Sequence, residues 1–189
     1  MLGLPGALNY FLALGQRDSR PLLVENVILL AITGAGFSLF LLAGGNEYVA
    51  ALFGNPDLAR TLVIIAPYSL FVLPALCVSS CLVATKRVKH LVVFRTATAG
   101  LTVGIVLLLA WQSENAEMPL LGLVAVSGIT LIPALFLMFK ACNIGSWRPS
   151  LSGIWQQLKF SLPLAIAGAA GALSLNLDKV IVSSFFGAE

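Results

Sequence analysis

Residues 119–139 read PLLGLVAVSGITLIPALFLMF, an unbroken apolar run without one charged side chain. At about 1.5 Å of rise per residue, a helix of this length crosses a hydrocarbon core of about 30 Å. The run does not alternate between apolar and polar every second residue, as a barrel strand would. No water is available inside a bilayer to satisfy backbone N–H and C=O groups, so a continuous apolar run that spans it folds as a helix. The bilayer is therefore the solvent against which the rest of the chain is read.

Comparable runs cover residues 23–43, 61–84, 91–111 and 160–186, and residues 1–14 resemble the last half of a further helix. The stretch Leu2–Leu14 is too short to span by itself. The pattern predicts an all-α, polytopic transmembrane helical bundle of about five full spans plus a partial N-terminal one. Composition agrees: 59% of the 189 residues are hydrophobic and 10% are charged, where a soluble domain carries about 25% charged residues. Too few charges are present to coat a water-facing surface. The formal charge of +3 is small, which argues against nucleic acid as a partner and leaves membrane lipids as the surroundings. The N-terminus has neither a basic segment before its apolar stretch nor a small-residue cleavage site, so it does not read as a signal peptide.

Loop charges set the expected orientation. Arg17 and Arg20, then Lys86, Arg87 and Lys89, then Lys140, Arg148 and Lys159 occupy alternate connections. The intervening loops hold Glu47, Asp57 and Arg60, and then Glu114 and Glu117. An excess of Lys and Arg marks the cytoplasmic side, so the first group is expected to face the cytoplasm and the second the periplasm or outside. Within the outer loops, Asn55-Pro56-Asp57 predicts a helix start, with a capping side chain, a proline at the first helical position and an acid in the first turn. Residues 48–53 predict a short interfacial turn with aromatics at headgroup level. Pro67 and Pro74 predict a bent span.

Three segments follow from this reading. Residues 1–145 are expected to hold one group of spans, 146–159 a cytoplasmic linker, and 160–189 the opening of a second group. Within the linker, Leu151, Ile154, Trp155 and Leu158 share one face, which predicts an interfacial helix with Gln156 and Lys159 turned to water.

Charges inside a span are costly and mark function by default. Glu25 falls in the first turn of its span, where a carboxylate complements the helix dipole and can still reach water. Arg95 lies roughly 8 Å along its helix from His90; it can snorkel to the interface or offer a planar donor fork to a phosphate. Asp178 and Lys179 lie deep in the last span, about 100° apart around the helix, and so cannot easily neutralise each other. Ala167, Gly171, Ser174 and Asp178 follow one another along a single face, which reads either as a packing seam or as the lining of a cavity. Cys77, Cys81 and Cys142 sit in or beside apolar runs with no C-x-x-C pair, and His90 is the sole histidine. No metal and no cofactor are expected, and the cysteines read as small packing residues. Paired acids and an H-E-x-x-H helix are both missing, which argues against an enzyme.

Several segments together resemble a known family. Residues 160–168 (FSLPLAIAG), 175–182 (LNLDKVIV) and 185–189 (FFGAE) are similar to the opening of the second half of polysaccharide-biosynthesis flippases. That family belongs to the multidrug/oligosaccharidyl-lipid/polysaccharide exporter superfamily. Residues 3–11 (GLPGALNYF) resemble its second helix and residues 52–59 (LFGNPDLA) its outer loop before the fourth-helix region. The resemblance implies a two-lobe exporter fold of twelve or more helices around a hydrophilic cavity. It implies alternating access and outward movement of a polyprenyl-diphosphate-linked glycan across the inner membrane, alongside polysaccharide-assembly membrane proteins. On that reading the chain is incomplete, with helix one and most of the second lobe missing. Arg95, Asn176, Asp178 and Lys179, with Asn9 and Ser174, are then the cavity residues expected to meet the substrate. A multidrug or metabolite exporter of the same fold, or a membrane remnant that transports nothing, are the alternatives.

Overall fold

The computed structural model describes residues 3–15, 18–113, 115 and 117–186, with 172–186 described by backbone alone. The described chain is helical and contains no strand. Helix α1 covers Leu4–Leu14, α2 Ser19–Phe40, α3 Asn46–Leu52, α4 Asp57–Ala75, α5 Cys77–Ala84, α6 Val88–Gln112, α7 Glu117–Ala141 and α8 Leu151–Phe186. Four stretches among the described residues are long and apolar enough to cross a membrane, namely Ser19–Leu52, Asp57–Ala84, Val88–Gln112 and Glu117–Ala141, and α1 is a shorter apolar helix. The chain is a multi-pass helical membrane protein. The expected span at 160–186 falls within α8, and its outer half lies outside the residues whose side chains are described.

The helices overrun the apolar runs that announce them. Helix α2 begins at Ser19, a turn ahead of the run at 23–43, because hydropathy marks the hydrocarbon-facing part of a helix and not its ends. Between α2 and α3 a wide turn at Leu41–Gly45 carries Ala43 out of helical geometry and Gly44 to a φ of 107°, which redirects the chain. Tyr48, Leu52 and Phe53 are exposed on the short helix that follows, as an interfacial segment requires. Asn55 Oδ1 accepts the Asp57 N–H at 3.1 Å, the cap expected at this helix start. Pro74 bends its span without breaking it, since the Leu76 N–H donates to the Val72 and Leu73 carbonyls, both at 3.2 Å. Helices α4 and α5 are thus two parts of one bent span.

Packing follows small residues. At the crossing of α2 and α4, a Cβ added to Gly34 would lie 2.6 Å from the Ser69 carbonyl oxygen and 3.0 Å from Leu70 Cα. That approach lets Ser69 Oγ reach the Gly34 carbonyl at 3.0 Å and Ser38 Oγ bond the Ala66 carbonyl. Close approach with hydroxyl bonding is how helices associate in lipid, where apolar burial alone gives little preference. The core lies between α1, α2, α5 and α7, with Leu8, Leu22, Leu30, Val78, Leu82 and Met138 buried. No residue of α6 is buried; this helix packs mainly against α7.

The two ends of the bundle differ in charge as the loop alternation requires. At one end the Arg20 N–H donates to the Ile144 carbonyl at 2.9 Å, its guanidinium lies 4.8 Å above the Trp147 ring, and Arg87 Nη1 donates to the Lys140 carbonyl at 3.3 Å. At the other end Arg60 Nε sits 2.6 Å from Glu117 Oε1.

Two expectations are corrected here. The helix predicted over 151–159 forms, but it is the first part of one continuous helix that runs on through 160, so no joint separates it from the span behind it. Pro163 removes one helical hydrogen bond and does not end the helix. Glu25, placed at a wetted interface by its sequence position, is fully buried.

Candidate functional site

Buried polar groups inside the bundle concentrate at one place. Glu25 and Asn26 on α2 and Gln157 on α8 are all 0% exposed. By helical rise they lie roughly 9–11 Å in from the starts of their helices, Glu25 and Asn26 at the beginning of the apolar run 23–43 and Gln157 just ahead of the run 160–186. A polar group in hydrocarbon costs several kcal/mol unless it is hydrogen-bonded, and each of these is. Glu25 Oε1 accepts the Ser150 N–H and the Ser150 hydroxyl, both at 2.9 Å. Glu25 Oε2 accepts from Gln157 Nε2 at 2.9 Å, and the same nitrogen lies 3.3 Å from the Leu22 carbonyl. Asn26 Nδ2 donates to Gln157 Oε1 at 2.7 Å and to the Leu4 carbonyl at 2.9 Å. The Cys77 thiol donates to Asn26 Oδ1 at 3.1 Å. Helices α1, α2, α5 and α8 are thereby tied at one polar node.

The geometry at Ser150 explains why a carboxylate stands there. Ser150 caps α8, its hydroxyl oxygen accepting the Gly153 N–H at 3.0 Å. In a capping box the residue three places on, a Glu or Gln, returns to the cap's own N–H. Here that place holds Gly153, and Glu25 from α2 takes the N–H instead. The negative group also faces the positive end of the α8 dipole. One side chain thus fixes both the start of α8 and its seat on α2. Beside it, a Cβ added to Gly3 would collide with the Ser161 carbonyl, and Tyr10 stacks on Phe160 with ring centroids 4.6 Å apart, so α1 holds the same helix from its other side.

The residues expected to line a cavity are distributed differently. Arg95 is exposed on α6 and its Nη2 donates to Ser79 Oγ at 2.6 Å. Ser79 lies on α5 about 7.5 Å from the end of that helix by helical rise, so the guanidinium is held at that depth and is not drawn toward the helix end. Thr96, Ala99, Gly100 and Val103 join Arg95 along a shallow recess of about 630 Å³. Asn9 is half-buried on α1, and no described contact joins it to Arg95. Ser174, Asn176, Asp178 and Lys179 belong to the backbone of α8, and their side chains lie outside the described residues. Asn26 and Gln157 are the polar residues that sequence reasoning missed. The adjacent pair Glu25-Asn26 inside an apolar run was the available signal, since two neighbouring polar side chains cannot both snorkel from one face.

Among the described residues no group of three or more metal-ligating side chains occurs. Cys81 and Cys142 are free thiols whose Sγ atoms lie 2.7 Å apart, both buried where α5 and α7 end. No protein-family model matches the chain, and no curated protein or solved structure matches it either.

Proposed function

We propose that this chain contributes first-lobe helices and the leading helix of a second lobe to an alternating-access exporter of the bacterial inner membrane. Its substrate is a polyprenyl-diphosphate-linked oligosaccharide or polysaccharide precursor. The observation that carries the reading is Arg95, an arginine inside a membrane span, exposed along a recess and held at depth by Ser79. Guanidinium is planar and permanently charged, and it meets phosphate oxygens through paired N–H donors. Ser79 accepts one of those N–H groups and keeps its own hydroxyl hydrogen to offer. In this reading the diphosphate is met by Arg95, the sugars occupy the polar cavity, and the lipid tail stays in the bilayer. The basic end of the bundle faces the cytoplasm, where the precursor is assembled. The Glu25 node makes α8 a rigid extension of α2, so that a second lobe attached to α8 moves with a defined lever.

The experiment is export of surface glycan in a strain that lacks its own flippase, complemented by a full-length homologue that carries this chain in place of its matching segment, with Arg95 native or in the Arg95→Ala and Arg95→Lys variants. Restoration by the native form is expected, with loss on the order of tenfold or more in Arg95→Ala, the scale of charge-assisted phosphate contacts. Arg95→Lys should be intermediate. No restoration by the native form, or full export by Arg95→Ala at normal protein level, overturns the proposal.

A further inference from the structure

The lipid-facing side of the bundle carries a second feature, separate from Arg95. Helices α6 and α7 diverge around an apolar groove of about 490 Å³. Its walls are carbon-rich, with Val93, Phe94 and Leu101 on α6 and Ile129, Pro133 and Leu137 on α7. Its ionisable side chains, Lys89 and His90, line one end, and Thr98 and Thr130 are the other polar residues of the walls. From Lys89 to Leu101 the groove extends roughly 18 Å by helical rise, close to the length of one extended acyl chain. Thr130, also on the wall, has its hydroxyl turned to the Val126 carbonyl at 2.8 Å, so it adds no polar demand within the groove.

The polar end is built against its own electrostatics unless an anion is present. Lys89 and His90 occupy the first turn of α6, which contains no acid. The Lys89 cation there opposes the positive end of the helix dipole, whereas a phosphate would be favoured by the dipole, by that charge and by a His90 ring N–H. No ion pair to either residue occurs among the described residues; the described pair, Arg60 with Glu117, is at the far end of the bundle. The turn before the helix repeats the pattern. The Lys86 N–H donates to the Val83 carbonyl at 3.0 Å and the Arg87 N–H to the Leu82 carbonyl at 2.8 Å, a Schellman cap with Lys86 at φ 57° in the position that favours glycine. A lysine kept in the left-handed region beside two further cations points to a use for its charge.

We propose that the α6–α7 groove binds one anionic glycerophospholipid of the surrounding leaflet, its phosphate at Lys89 and His90 and one acyl chain along Val93, Leu101 and Ile129. Charge complementarity selects this occupant. A zwitterionic lipid would fill the groove equally well but gain little at its basic end, where each cation near an anionic surface is worth about fivefold in affinity.

The test uses the full chain in phosphatidylcholine vesicles containing a small fraction of either phosphatidylglycerol or phosphatidylcholine with a photoreactive diazirine in its acyl chain. Adducts are mapped by peptide mass spectrometry. Labelling of residues 89–101 and 129–137 by the phosphatidylglycerol probe should exceed that by the phosphatidylcholine probe several-fold. The double variant Lys89→Ala, His90→Ala should bring the ratio to one, and Lys89→Arg should keep it. Adducts on the bilayer-facing residues Ile132 and Phe136 should show no headgroup preference in any form. Circular dichroism confirms folding, and both replaced side chains are exposed, so loss of structure is not expected. Equal labelling by the two probes in the native chain overturns the proposal. So does complete competition by soluble glycerol phosphate, complete displacement by polyprenyl phosphate at matched concentration, or a peptide crosslink showing a second copy of the chain in the groove.

Discussion

Replacing Glu25 by glutamine exchanges one carboxylate oxygen for an NH2 group at a site where the carboxylate receives donors on both oxygens. Ser150 presents its N–H and hydroxyl to Oε1, and Gln157 presents Nε2 to Oε2. A glutamine can satisfy one side only. If its oxygen stays with Ser150, its NH2 meets the NH2 of Gln157. Turning Gln157 over would set its nitrogen against Asn26 Nδ2, and turning Asn26 in response would set its oxygen against the Leu4 carbonyl, which Nδ2 now serves. The conflict moves along the network without leaving it. Bonds to a charged group contribute about 1.5–3 kcal/mol and neutral ones about 0.5–1.5, while a buried unmatched donor costs about 1–3. Loss of charge assistance together with one mismatch gives about 3–5 kcal/mol, a large part of the roughly 5–15 kcal/mol that holds a folded domain. The measurement is unfolding in mixed micelles titrated with sodium dodecyl sulfate, alongside trypsin cleavage at Lys159 within α8, which should accelerate as α8 loses its seat. The informative comparison is the exchange Glu25→Gln with Gln157→Glu. A carboxylate at 157 accepts from Asn26 and from the new amide at 25, whose oxygen still serves Ser150. The double variant should therefore recover most of the loss. A single variant within about 0.5 kcal/mol of the native chain, or an exchange no better than the sum of its parts, refutes the network argument.

Gly34→Ala places a methyl group against the α4 backbone, which cannot yield as a side chain could, and should destabilise by about 1–3 kcal/mol; Gly36→Ala, with open space around it, should be neutral or slightly stabilising in the same unfolding titration. Lys86→Gly relieves a left-handed residue and should stabilise by about 1 kcal/mol, with a higher midpoint as the readout and weaker anionic-lipid labelling as its cost. Copper phenanthroline should join Cys81 to Cys142, whose Sγ atoms already lie 2.7 Å apart; the linked tryptic peptides should appear in non-reducing mass spectra, persist in Cys77→Ser and vanish in Cys142→Ser.

Hydropathy alone was enough to locate the transmembrane helices, because a run such as 119–139 has no alternative partner to lipid. Charge alternation was enough to place Arg20 and Lys140 at one end and Arg60 with Glu117 at the other. The continuity of α8 was not legible. A segment such as 151–159, apolar on one face with Lys159 and Gln156 on another, satisfies an interfacial helix and the first turns of a tilted span equally well. What decides between them is the seat for Gln157, and that seat is made by Glu25 and Asn26, more than a hundred residues away.

The same limit governs how polar residues in a membrane can be read. Glu25 and Arg95 both stand within about the first turn of an apolar run, and position along the run treats them alike. Their surroundings separate them: Glu25 accepts from the N–H and hydroxyl of Ser150, the cap of α8, and from the Gln157 amide, so both carboxylate oxygens are engaged, while Arg95 stands on a helix with no buried residue and donates to a single hydroxyl of α5. A buried acid that completes another helix's cap serves architecture, and titrating or removing it should act through stability. An exposed guanidinium held at depth has donors left to offer, and removing it should act on what the protein binds. Variants at these two residues therefore separate the scaffold from the site: loss of Glu25 should lower the unfolding midpoint, whereas loss of Arg95 should leave it unchanged and, under the proposed function, lower export by the full-length exporter that carries this chain.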